Sequence, residues 1–77
     1  MTSEQITWIC RDALPACGVQ LHGTPRLHDG RWIIGFQRDR DMALQVELPD
    51  REINKSELWR MGQELENRVR GALMLSE

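Results

Sequence analysis

Hydrophobic positions in this 77-residue chain first recur at helical spacing. Ile6, Ile9, Cys10 and Ala13 follow an i, i+3, i+4, i+7 row that Cys17 continues, the pattern of an amphipathic helix with one buried stripe. Thr2 and Gln5 have the spacing of a capping box, and Glu4 suits the positive end of the helix dipole. Pro15 has no N–H to give the carbonyl of Arg11 and crowds that turn. The helix is therefore predicted to end near residues 12–14 or to kink there, with Gly18 turning the chain.

Beyond that turn the period changes. Residues 19–27 alternate loosely, and Gly23 and Pro25 interrupt them, so the stretch reads as an edge strand or a bulged one. Asp29-Gly30 is a hairpin signal, because both residues tolerate the positive φ of a type I′ turn. Trp32, Ile34 and Phe36 then share one strand face, and Arg38-Asp39-Arg40-Asp41 is polar enough to be a second hairpin loop. Met42, Leu44, Val46 and Leu48 alternate with Ala43, Gln45 and Glu47 in a half-buried strand that Pro49 and Asp50 end.

The last helix is predicted over residues 55–75. Asn54 is placed to cap it, Glu57 to complete a second capping box, and Ile53 and Leu58 to form a hydrophobic staple. Its apolar stripe is Leu58, Met61, Leu65, Val69, Ala72 and Leu73, with Glu64–Arg68 and Glu66–Arg70 as favourable pairs one turn apart. Gly62 and Gly71 weaken it by roughly 1 kcal/mol each relative to Ala, and Gly62 reads as a point of close packing. A sheet with one apolar face needs a cover. The expected fold is thus α+β: residues 1–77 form a single α-β-β-β-α two-layer domain, a three-stranded antiparallel meander with two helices packed on one face. Gln37, Gln45, Glu47, Arg26 and His28 fall on the opposite, polar face, where Ile33 and Ala43 make a small apolar spot.

Composition narrows the function classes. A hydrophobic fraction of 40% and a charged fraction of 29% are those of a globular protein. A chain this short buries only roughly 60–65% of the surface its unfolded form exposes, and self-association is one way to add stability. The net charge is −2, with nine arginines and one lysine, which argues against non-specific nucleic-acid binding while leaving room for a local basic patch. The start lacks the basic and apolar runs of a signal peptide, and no apolar stretch reaches the roughly 20 residues that cross a bilayer. Two cysteines make no disulfide framework. The expected location is the cytoplasm, with reduced thiols and no membrane association.

Candidate chemistry is sparse. Cys10, Cys17, His22 and His28 are the one set with zinc-ligand chemistry, but they lack the tight cysteine pair of a structural site and fall on different faces. Cys10 sits mid-helix and Cys17 near a helix C-terminus, where the dipole disfavours a thiolate nucleophile. The carboxylates mostly oppose arginines, the pattern of solvated ion pairs. No phosphate loop, nucleophile elbow or metal-hydrolase motif is present. No catalytic residue, cofactor or metal is expected.

The α-β-β-β-α order resembles the double-stranded RNA-binding domain. That family reads RNA shape through its first helix, the loop between its first two strands and lysines opening its last helix. Here the first loop is the minimal Asp29-Gly30 turn, and the last helix opens Asn54-Lys55-Ser56-Glu57, so the order departs from the motifs that carry function. The alternative reading is nonetheless a nucleic-acid-binding regulator using Arg26, Arg31, Arg51 and Lys55, with nucleic acid as the lesser partner.

Trp8 and Trp59 each flank the apolar stripe of their helix, where an indole either closes the edge of a thin core or anchors a partner; Trp32 belongs to the core. These features favour a small non-enzymatic protein–protein interaction module, able to form a homodimer and binding a larger protein partner. Trp8, Trp59, Arg38 and Arg40 are the expected anchors. Size and character are those of accessory or inhibitor proteins carried by phages and mobile elements, which act by occluding a surface of the partner.

Overall fold

The computed structural model describes residues 1–75. Helix α1 (Ser3–Ala16) is followed by strands β1 (Gln20–Leu21), β2 (Arg26–His28), β3 (Arg31–Gln37) and β4 (Leu44–Pro49), then by a 3₁₀ turn (Lys55–Glu57) and helix α2 (Leu58–Leu75). All strands pair antiparallel. β3 is central, with β4 on one side and β1 and β2 end to end on the other. The expected first strand is thus two short strands, and the meander is a four-stranded sheet.

The break has a local cause. Leu21 pairs with Phe36 and Arg26 with Ile33, so residues 22–25 stand opposite only Ile34 and Gly35. Gly23 takes φ +80° and Pro25 offers no N–H, so the extra residues loop out of the ladder as a bulge. The Asp29-Gly30 turn forms as expected, with φ values of 50° and 73°.

Alternation sorts the sheet residues. Trp32, Ile34, Phe36 and Leu48 are buried on the face that meets both helices, with Ile6, Ile9, Cys10, Ala13, Leu14, Met61, Leu65 and Val69. Leu44, Val46, Leu58, Ala72 and Leu73 pack partly buried against them. Met42, expected in the β4 row, precedes the strand and is 85% exposed. Among the described residues no helix is long and apolar enough to cross a membrane.

Two expectations about helix ends are corrected. Of the two alternatives at Pro15, an end at residues 12–14 is overturned, because α1 runs through Pro15 to Ala16. Proline in a last turn forfeits only the bond to Arg11, on an exposed face, and the end is closed by Cys17 N–H to Leu14 C=O, Gly18 N–H to Pro15 C=O and Val19 N–H to Leu14 C=O. The Thr2–Gln5 capping box forms, but the Asn54–Glu57 box does not. Asn54 Oδ1 accepts from Ser56 Oγ instead. The first turn winds as a 3₁₀ turn, and the Glu57 carboxylate lies 3.8 Å from Arg51.

The helices run in the same direction. Gln5 Nε2 donates to the Ile53 carbonyl, Asp12 lies beside Gly62, and Arg70 donates to the Ala16 carbonyl, so contacts advance together along both helices. Gly62 is buried in this seam. A Cβ there would meet only Asp12 Oδ2 at 3.6 Å, ordinary contact, so close packing does not require the glycine.

Candidate functional site

Two of the expected anchors, Trp8 and Trp59, lie on the two helices that pack together. Trp8 precedes Asp12 by one turn on its helix, and Trp59 precedes Gly62 by one turn on the other. Because Asp12 and Gly62 are neighbours and the helices are parallel, Trp8 and Trp59 lie at similar heights along the helix pair. Trp8 is 46% exposed and Trp59 59%. Around Trp8, Ser3, Glu4, Thr7 and Arg11 line a shallow depression, a polar rim beside an apolar ring. Thr7 and Arg11 also border an apolar crevice of about 300 Å³ between α1 and β1, floored by Cys10, Leu14, Val19 and Leu21.

Arg38 and Arg40 are not part of that face. Their loop follows the end of β3 that pairs with Gln20, beside Gly18 and the C-terminal end of α1, whereas Trp59 opens α2 at the far end of the domain. Arg38 Nε is 3.3 Å from Asp41 Oδ2 within its own loop, and Arg40 is exposed. The four residues do not make one patch.

Arg26, Arg31, Arg51 and Lys55 do gather toward the Asp29-Gly30 end of the sheet, since Arg31 pairs with Pro49 and the chain then leads through Arg51 to Lys55. Much of their charge is met locally. Arg31 Nη1 donates to Glu47 Oε2 at 2.8 Å, and Arg51 faces both Glu57 and the Met61 sulfur. His28 lies 3.3 Å from Asp29 at the turn. Asp50 sits among them, and its carboxylate accepts from the Met1 amino group at 2.7 Å and from Trp32 Nε1 at 2.9 Å. Those two hydrogen bonds hold its carboxyl below the ordinary carboxylate range.

The cysteines are placed for packing. Cys10 is buried, and burial pushes its thiol up to about 11. Cys17 is half-buried with Sγ 3.7 Å from the Glu66 carbonyl oxygen, and burial raises it too, against the opposing pull of Arg70. Both thiols therefore stay protonated near neutral pH. Cys10 lies in the core, while His22 lines a depression of about 470 Å³ on the other side of the sheet with Gly23, Thr24, Arg26, Ile33 and Ala43. Among the described residues no three His, Cys, Asp or Glu side chains gather as metal ligands.

Three features are not set by local pattern: the Asp50 clamp, the α1–β1 crevice and the contact at Gly35. The last had a signal, a glycine inside an otherwise apolar strand. A Cβ at Gly35 would lie 2.6 Å from the His22 carbonyl oxygen, so the bulge folds its backbone directly over β3. Comparison of the chain with protein-family models, curated proteins and solved structures finds no match. The likeness to the double-stranded RNA-binding domain therefore rests on element order alone.

Proposed function

We propose that the chain is a small non-enzymatic interaction module whose helical layer covers a surface of a larger protein, with Trp8 and Trp59 as anchors. One observation carries this reading: indoles on both of the paired parallel helices are left 46% and 59% exposed, while Trp32 is buried in the same small domain. Indoles left in water forgo the burial that stabilises a thin core, and Trp is the residue most enriched among those that dominate binding energy. The charged rim of Glu4 and Arg11 beside Trp8 suits an interface with a polar border. Such a module acts by occlusion, in an accessory or inhibitory role.

The test uses the tryptophans as both probe and anchor. Wild type and the Trp8→Ala/Trp59→Ala double variant serve as bait in lysate capture, with circular dichroism to confirm that both are folded. The expected result is a discrete partner retained by wild type and lost by the variant, with acrylamide quenching of the exposed indoles suppressed in the complex. A partner held equally by both proteins, or quenching unchanged on binding, refutes the assignment. Salt-sensitive capture of RNA or DNA that depends on Arg26 and Lys55 instead supports the nucleic-acid reading.

A further inference from the structure

The two edges of the sheet are unequal. The β1–β2 edge is broken by the bulge at residues 22–25, whereas β4 is a regular strand of six residues that, among the described residues, pairs with β3 alone. The groups it leaves open follow from register. Asp50 N–H donates to the Gly30 carbonyl at 2.9 Å, and bonded and non-bonded pairs alternate along an antiparallel ladder. Leu44, Val46 and Leu48 therefore give their main-chain groups to β3, and Gln45 and Glu47 turn theirs outward. His22 N–H donating to Gly35 C=O on the other side of β3 fits the same alternation. Pro49 has no N–H and ends the open edge.

We propose that β4 is a self-association edge, pairing antiparallel with β4 of a second copy about a two-fold axis at Val46. This inference is independent of the tryptophan face. The sequence around the axis is self-complementary. With Val46 opposite Val46, each Gln45 faces Glu47 of the second copy, and these are the residues whose outward N–H and C=O groups can bond reciprocally. The Gln45 amide donates to the facing carboxylate, whose charge Arg31 already balances at 2.8 Å. A register centred on Glu47 sets two carboxylates directly opposite and is disfavoured. On the helical face the half-buried Leu44 and Val46 gain the second copy's Leu48 and Val46 as neighbours. The same axis runs the two α2 helices antiparallel. Each α2 carries its Glu64–Arg68 pair on the side away from the residues that meet α1. Joining the edges also removes the exposed strand that a small domain must otherwise protect.

Sedimentation equilibrium of the full chain from micromolar to millimolar concentration tests this. The mass rises from 9.0 kDa toward twice that value. Gln45→Lys tightens the dimer and Gln45→Glu loosens it, the two dissociation constants differing by at least about tenfold, while thermal melts of the monomer stay alike. In a Cys17→Ser background, Val46→Cys gives an interchain disulfide on mild oxidation, and Met42→Cys, exposed and off the axis, does not. A mass of 9.0 kDa at every concentration overturns the proposal. So does a dimer indifferent to position 45 and uncrosslinked at position 46, or one abolished by Trp8→Ala with Trp59→Ala.

Discussion

Gly35→Ala isolates the contact on which the bulge depends. The added methyl would sit 2.6 Å from the His22 carbonyl oxygen, and the His22 amide is bonded to the Gly35 carbonyl at 2.9 Å, so the bulge cannot withdraw without losing that bond. Overpacking of this kind costs about 1–3 kcal/mol, and the lost hydrogen bond adds about 0.5–1.5 kcal/mol. Against this, alanine suits a strand interior better than glycine by roughly 0.5–1 kcal/mol. The net expectation is a loss near 2 kcal/mol, which in a domain of this size lowers Tm by about 8–16 °C. Thermal and urea unfolding followed by circular dichroism measure it. Two other glycines supply controls of opposite sign: Gly71 has open space around the missing Cβ, and Gly62 meets Asp12 Oδ2 at 3.6 Å. Gly71→Ala and Gly62→Ala in α2 are each expected to stabilise, by up to about 1 kcal/mol. Gly35→Ala matching wild type in both assays refutes the backbone contact and, with it, the account of the broken strand.

Two further outcomes follow from the titrating groups. Asp50 is depressed in the folded chain by the Met1 amino group and the Trp32 indole, so its contribution is present above the ordinary carboxylate range and is lost as pH falls through the folded value. Melts of Asp50→Asn and wild type should therefore differ at neutral pH and converge in acid; a gap independent of pH contradicts the clamp. Burial of Cys10, with its thiol near 11, predicts that a thiol reagent at neutral pH leaves it unmodified until the chain is unfolded, while half-buried Cys17 reacts slowly. Rapid labelling of Cys10 in native protein, mapped by mass spectrometry, contradicts the placement of α1 over the sheet.

Elements of this protein follow from local pattern because each is fixed by neighbours in the chain. The stripe from Ile6 to Cys17 covers the core because 3.6-residue periodicity puts it on one side of a helix. Trp32, Ile34 and Phe36 are buried together because strand side chains alternate, and Asp29-Gly30 turns because both residues accept positive φ. The Glu64–Arg68 and Glu66–Arg70 pairs need only helical spacing. The helix ends tested the limits of that logic. The Asn54–Glu57 box has the right residues, but Arg51 and Ser56 supply competing partners that spacing alone does not reveal.

What reached beyond local pattern was decided by contacts between distant segments. Whether residues 19–27 made one strand or two depended on how they met β3, and Gly35, far along the chain, provided the space for the bulge. Likewise Trp8 and Trp59 could each be assigned to a helix from its own neighbours in the chain. That Trp8 and Trp59 share a level, and that Arg38 and Arg40 lie at another end, required the parallel packing of α1 on α2. Periodicity constrains which side of an element is buried. It carries no information about which other element lies there, and the candidate surfaces of this protein are made from those meetings.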